Sequence, residues 1–232
     1  MTILAVNQLN VSYKNKKNAV ANVSFCLKKG ETLGIVGESG SGKSTLALAL
    51  LRLLPKGSFS IQGAAFFNDN NLIELPEKEM QKVRGKKIGF IFQDALAALN
   101  PTMTVGKQIL EVILQHEHVS SAEAKRRTIE LMSKLGIDDA QRRYGEYPFQ
   151  YSGGMRQRAV IAIAMACSPQ LIIADEPTTA PLITSVPVSS ETLETAIDHK
   201  VDDLLGQIEE SHSSSSVWSV EPEVVSEPTL PT

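Results

Sequence analysis

Short apolar stretches punctuated by Asn and Gly at residues 3–9, 23–27, 32–36 and 59–67 predict strands. Residues 44–54 read as a helix that stops ahead of Pro55, because proline disfavours helical backbone at the residue before it. Two brief apolar runs, 88–92 and 171–174, predict strands buried on both faces, as in a parallel sheet. Between 104 and 135 the apolar positions recur at helical spacing and predict two amphipathic helices, the second ending near Gly136. A further helix is predicted from Ser152 to Cys167, with Pro169 beyond its end. Strands alternating with helices predict an α/β fold on a parallel sheet, with a helical insertion.

The pattern changes near residue 180. The last 52 residues hold ten acidic side chains against one basic, Lys200, with ten serines and five of the eleven prolines. Their charge is about −9, and the first 180 residues, with 22 basic and 16 acidic, carry about +6. A globular segment is thus joined to an acidic, Ser/Pro-rich one. Helical spacing of apolar positions predicts a helix over 191–210, and the composition from Ser211 onward predicts disorder.

The net charge of −3 excludes a broadly basic nucleic-acid binder and a wholly acidic disordered chain. Hydrophobic residues make up 42% of the chain, enough for a sizeable core. Two cysteines, Cys26 and Cys167, are too few for a disulfide scaffold and suit a reducing compartment. The longest apolar run, 159–167, is far short of the roughly 18 residues that span a bilayer. Met1-Thr2-Ile3-Leu4 lacks the basic start of a secretion signal. The expectation is a chain neither secreted nor inserted in a membrane, with a peripheral role left open.

The strongest chemical signal is Gly37-Glu38-Ser39-Gly40-Ser41-Gly42-Lys43-Ser44-Thr45, which fits G-x-x-x-x-G-K-[ST]. It follows the predicted strand 32–36 and opens a predicted helix, the context that the motif requires. Glycines let the backbone curl so that successive N–H groups point at phosphate oxygens, and the helix terminus adds positive potential. Lys43 supplies a mobile charge for the β- and γ-phosphates of a nucleotide such as ATP, and the Ser44 hydroxyl is a ligand for Mg²⁺.

Leu171-Ile172-Ile173-Ala174-Asp175-Glu176 is an apolar strand ending in two acids. Two acids can merely solvate a strand end. Beside a phosphate loop, Asp175 can instead reach the Mg²⁺ shell at the carboxyl edge of the sheet. Glu176 is then the candidate base for the water that attacks the γ-phosphate. Gln93 follows the predicted strand 88–92 and can contact Mg²⁺ or that water.

Tyr151-Ser152-Gly153-Gly154-Met155-Arg156-Gln157-Arg158 stands shortly before Asp175-Glu176. The phosphate loop, Gln93, Ser-Gly-Gly and Asp-Glu in this order resemble the nucleotide-binding subunit of ABC transporters. Phe92-Gln93-Asp94, Leu99-Asn100-Pro101 and Asp175-Glu176-Pro177-Thr178-Thr179-Ala180 are similar to the peptide and nickel importer branch. The resemblance covers residues 1–180 and implies an ABC-type ATP-binding domain of P-loop NTPase fold, with a helical insertion at about 94–150. It implies that Tyr13 stacks on adenine, a contact of about 1–3 kcal/mol in analogous base stacking. It also implies that Tyr151, Ser152, Gly153, Gly154 and Met155 form a signature that meets ATP on a second subunit, in a head-to-tail homo- or heterodimer. Tyr151 replaces the family's usual Leu, and Met155 the general Gln. The resemblance further implies integral membrane permease subunits, an extracytoplasmic solute-binding protein acting indirectly, and a place on the cytoplasmic face of the membrane. No nucleic-acid partner is expected.

Beyond Ala180 the resemblance ends. The family continues with Leu-Asp, whereas this chain has Pro181-Leu182. The family also has an apolar strand and then a His that contacts the γ-phosphate. His212 lies 36 residues past Glu176, but Gln207-Ile208-Glu209-Glu210-Ser211 before it is no buried strand, and it reads as solvated tail, as does His199. His116 and His118 read as surface residues of the insertion. Residues 181–232 are therefore a non-family, partly disordered tail on a C-terminally incomplete domain, as though the end had been replaced by a rearrangement or altered reading frame. The expected consequences are an unpaired edge on strand 171–174 and weakened hydrolysis. Three functions follow: an importer ATPase, a protein that binds ATP without hydrolysing it, or an ABC ATPase acting outside transport.

Overall fold

Two sheets share the molecule, one antiparallel and one mixed, where a parallel one was expected. The computed structural model describes residues 1–14, 16–55 and 57–175, with backbone alone at 16, 17, 182–185 and 218–219. The helix expected over 191–210, His199 and His212 lie outside the described residues, as does Glu176.

The antiparallel sheet is built on a hairpin of β1 (Thr2–Tyr13) and β2 (Lys16–Lys28). On the other side of β1 lie β4 (Phe59–Phe67) and, beyond it, β5 (Asn70–Asn71). β1 and β2 run further than the predicted segments, because the hairpin continues through ends where Val11 and Val20 pair and are buried among polar neighbours too numerous to give an apolar run.

The second sheet has the order β6-β7-β8-β3-β9. β3 (Thr32–Val36), β6 (Ile88–Ile91) and β7 (Leu171–Ala174) are the predicted strands. β8 (Leu182–Ser185) and β9 (Trp218–Ser219) were not predicted. β8 runs antiparallel to both β7 and β3, with Ala174 opposite Leu182 and Leu33 opposite Ile183. The expected unpaired edge on 171–174 is therefore wrong: β7 pairs with β6 on one side and β8 on the other. A strand's N–H and C=O groups need partners, and the segment that follows supplies them whatever its wider sequence resembles. The expectation of disorder from Ser211 fails at β9, which pairs in parallel with Ile35 and Val36.

α1 (Lys43–Leu50) ends earlier than Pro55 predicts. Arg52 takes a φ of 53°, and Arg84 donates to the carbonyls of Leu51 at 2.7 Å and Arg52 at 3.2 Å. A side chain from a distant segment thus occupies the carbonyls that end the helix. α2 (Glu77–Val83), α3 (Ala95–Ala98) and α6 (Ala140–Arg143) are too short to show periodicity in sequence. α4 (Val105–His116), α5 (Ser121–Lys134) and α7 (Gly153–Met165) form where helical spacing predicts them.

β7 is a wall shared by two cores. Leu171 and Ile173 pack with α1 and the antiparallel sheet, whereas Ile172 and Ala174 pack with α4, α5 and α7. The period-2 alternation of a strand produces this division, which is why all four residues are buried. α7 approaches β6 so closely that a Cβ on Gly89 would lie 2.5 Å from the Ala164 carbonyl.

Candidate nucleotide site

The phosphate loop leaves the carboxyl end of β3 and turns into α1. Gly40 and Gly42 take φ of 81° and 99°, a left-handed region that favours glycine. A Cβ on Gly42 would lie 2.1 Å from the Ala19 carbonyl, so β2 and the loop are in contact there. The Ser41 N–H donates to the Glu38 carbonyl at 3.1 Å, closing the turn, and Leu46 N–H donates to Gly42 at 2.8 Å, starting the helix. No side chain caps the amino end of α1, so the positive end of the helix faces the loop. The Lys43 ammonium donates to the carbonyls of Gly37 at 2.9 Å and Glu38 at 3.1 Å. Ser41 Oγ is buried without a hydrogen-bond partner. Glu38 and Ser39 are exposed, while Ser44 and Thr45 are half-buried on the first turn of α1.

Asp175 reaches this loop from across the sheet. Its N–H donates to the Ile91 carbonyl at 2.9 Å, which fixes its backbone beside β6. Its carboxylate accepts from Ser44 Oγ at 2.8 Å, and the residue is only 7% exposed. A hydroxyl and a buried carboxylate in contact beside the phosphate loop are oxygen donors that fit a hard divalent cation. Gln93 leaves the end of β6 at this same edge, two residues past the carbonyl that holds Asp175, and is exposed. Tyr13 ends β1 opposite Lys16 and Phe59 and is half-buried against the first core. It stands two residues along β1 from Val11, whose partner Val20 borders Gly42. Glu176 lies outside the described residues.

The signature residues sit on another element. Ser152 caps α7, its Oγ accepting from Met155 N–H at 3.3 Å. Gly153 and Gly154 are exposed, and a Cβ on either would meet nothing within 4 Å. Packing within this chain therefore does not demand glycine at either position. Tyr151 points the other way: it is 2% exposed, and its hydroxyl donates to the Arg143 carbonyl at 3.0 Å. Burial, with Glu146 nearby, pushes its phenol up to about 12. Its side chain is part of the helical core, and the Leu-to-Tyr difference gains a hydrogen bond there. α7 packs on β6, which lies three places from β3 in the sheet. That is about 14 Å at ordinary strand spacing, so the structure does not bring the signature onto its own phosphate loop.

Sequence reading missed several exposed apolar side chains. Phe92, Leu96, Tyr147 and Phe149 are all exposed, Phe149 at 69%, and the rings of Tyr147 and Phe149 stack at 5.7 Å. For Leu96, Tyr147 and Phe149 the signal was available as apolar residues outside every predicted strand and helix, whereas Phe92 was read as the end of strand 88–92 and lies just past it.

The family model described as ABC transporter matches residues 20–179. An oligopeptide transport ATP-binding protein of Bacillus subtilis, OppD, is 51% identical over 183 residues, covering 77% of this chain and 51% of that protein. A dipeptide transport ATP-binding protein of Lactococcus lactis, DppD, is 44% identical over 220 residues, covering 93% of this chain and 60% of that protein. The chain thus spans about half to three fifths of the length of these curated relatives. Among solved structures, a dimeric ATP-binding cassette in a post-hydrolysis state, bound to ADP and Pi, superposes with a TM-score of 0.66 at 26% identity. The alignment covers 93% of this chain and 87% of that one. With its mixed α/β cassette fold and its phosphate loop meeting the acid at the end of β7, the chain belongs to the ABC transporter family.

Proposed function

We propose that the chain is the ATP-binding subunit of a peptide importer, which hydrolyses ATP and passes the resulting movement to membrane permease subunits. The observation that carries this reading is the 2.8 Å bond between Ser44 and Asp175, which joins the phosphate loop to the acid-bearing strand. The loop N–H groups and Lys43 hold the β- and γ-phosphates, the ammonium moving onto them from the Gly37 and Glu38 carbonyls. Ser44, Asp175 and Gln93 hold Mg²⁺, which when bound neutralises charge developing on the phosphates. Tyr13 stacks on adenine. Glu176 takes a proton from the attacking water as oxygen bonds to the γ-phosphorus and the bond to the β–γ bridging oxygen breaks.

Ser152 and Gly153 meet the γ-phosphate of a second ATPase subunit's ATP. The open space over both glycines and the distance between α7 and β3 support a partner there. The apolar side chains of Phe92, Leu96, Tyr147 and Phe149 favour a permease contact over an ABC ATPase acting outside transport. No helix among the described residues is long and apolar enough to cross a membrane. In this reading the subunit meets the permease peripherally, on the cytoplasmic face. The solute-binding protein acts through the permease. Support for peptides over nickel chelates comes from the relatives' names.

One observation favours a second reading, nucleotide binding without turnover. β8 is antiparallel, so the strand between the phosphate loop and Asp175 delivers its carboxyl end to the edge away from the phosphates. Calorimetry with Mg-ATP and turnover of the whole chain separate the two. The importer reading expects Glu176→Gln to retain binding while turnover falls about 10²–10⁴-fold. Unchanged turnover removes Glu176 from the base role, binding without turnover selects the second reading, and absence of binding rejects both.

A further inference from the structure

The buried polar side chains among the described residues are Gln108, Thr128 and Asp175. Asp175 belongs to the nucleotide site, and Thr128 donates to the Ala124 carbonyl within its own helix at 2.8 Å. Gln108, on α4 and 8% exposed, bonds outside its helix instead. Its Oε1 accepts from the Asn100 N–H at 2.9 Å. Its Nε2 donates to the carbonyls of Asn100 and Met103, each at 3.0 Å. Asn100 Oδ1 in turn accepts from the Thr102 N–H at 3.0 Å and hydroxyl at 2.8 Å. One amide therefore satisfies three backbone groups of a loop that neither sheet nor helix pairs.

That loop lies on the covalent path from Gln93 to the helices. Gln93 is followed by Asp94, whose Oδ1 accepts from the N–H groups of Leu96 and Ala97 at 2.8 and 3.1 Å and so caps α3. α3 packs on α7, and Leu99 is buried in the helical core. The chain leaving Gln93 is thus gripped at Asp94, Leu99 and Asn100 in succession. We propose that Gln108 is a positioning residue for the nucleotide site: it clasps the loop at 100–103, so that Gln93 and α3 move as one body with α4 and α7. The proposal rests on the reading that Gln93 contacts the attacking water or its cation. A packing role alone tolerates leucine, which has similar size. A clasp does not, because leucine leaves the Met103 carbonyl and the Asn100 N–H unpaired and the Asn100 carbonyl with only the Met103 N–H, at 3.3 Å.

The test compares the full chain with Gln108→Leu and Gln108→Glu. It measures Mg-ATP affinity by calorimetry, turnover, and hydrogen exchange at residues 94–104 with and without Mg-ATP. Gln108→Leu is expected to weaken Mg-ATP binding by less than about tenfold, since Lys43, Ser44 and Asp175 hold the nucleotide and its cation without Gln93. Its turnover falls about tenfold to a hundredfold in kcat at unchanged KM, the effect of a misplaced group. Protection of 94–104 by Mg-ATP, present in the parent, is lost. In Gln108→Glu a buried carboxyl faces two carbonyls, which favours its protonated, donating form. Turnover of that variant relative to the parent therefore rises as pH falls. A leucine variant that keeps both kcat and nucleotide-dependent protection overturns the proposal. So does a glutamate variant whose ratio to the parent is independent of pH. If the leucine variant does not fold, the glutamate variant decides. If the parent binds without turnover, protection by nucleotide decides in either variant. A parent that binds no Mg-ATP overturns the functional reading itself, and this proposal with it.

Discussion

The two sides of β7 are built differently. On one side, β1, β2 and β4 pair over long stretches, and α1 packs against strands far from it in sequence. On the other, α4, α5 and α7 pack as helices whose stability is more local. α5 carries Arg126 between Glu123, at 2.7 Å, and Glu130, solvent-exposed pairs within one helix that support it only weakly. The comparison teaches where rigidity is needed. The phosphate loop requires backbone held in left-handed conformations against a sheet. A helical side held by more local contacts is expected to open at lower cost than the sheet, which the Met132 variant below tests.

Gly42→Val should break the first side. It puts a β-branched residue at φ 99° with its Cβ on the Ala19 carbonyl. Denaturant titration is expected to show a loss of about 3 kcal/mol or more, and calorimetry a loss of Mg-ATP binding. A variant retaining both would show that β2 does not hold the loop.

Met132→Ala should break the second side. Met132 is fully buried among the helices, and truncation is expected to cost about 2–5 kcal/mol. Hydrogen exchange should accelerate in α4 and α5, with Mg-ATP affinity within about twofold of the parent. Equal acceleration in β1 and β4 would show that the two cores open as one.

Glu117 gives the smallest and most specific effect. Arg127 donates to its carboxylate at 2.5 and 3.1 Å, and this bond, partly offset by burial, holds the carboxyl below its usual range. A depressed carboxylate contributes stability that is present above its unfolded pKa of about 4.3 and lost as pH falls through the lower folded value. Glu117→Gln should therefore cost less than about 1 kcal/mol at pH 7 and nothing in strong acid. Denaturant titrations at both pH values check this, and an equal cost at both would assign the effect to packing.

The legible parts of this fold were those with local signals. The glycine pattern before Lys43 marks the loop, apolar runs mark β6 and β7, and helical spacing marks α4, α5 and α7. α1 was read too long because its stop is set by Arg84, which reaches back to the Leu51 and Arg52 carbonyls. Tyr151 was placed with the signature, yet its side chain lies in the helical core, a direction that a residue's place in a motif does not reveal. Gln108 gave no sign, since a glutamine on an amphipathic helix ordinarily faces water.

By itself the sequence determined that a phosphate loop exists, which strands and helices flank it, and which residues carry charge or hydroxyl groups suited to a nucleotide. Glycine spacing and apolar periodicity act over a few residues, so they survive in a linear reading. Only the tertiary structure decided that Ser44 meets Asp175 across 131 positions, that β8 rather than open solvent lines β7, and that Gln108 grips the loop behind Gln93. The first joins groups distant along the chain; the other two join groups as few as eight residues apart, in loops and strands that carry no periodic signal. Such groups find their partners only when strands and helices stack and the water that would otherwise satisfy them is gone.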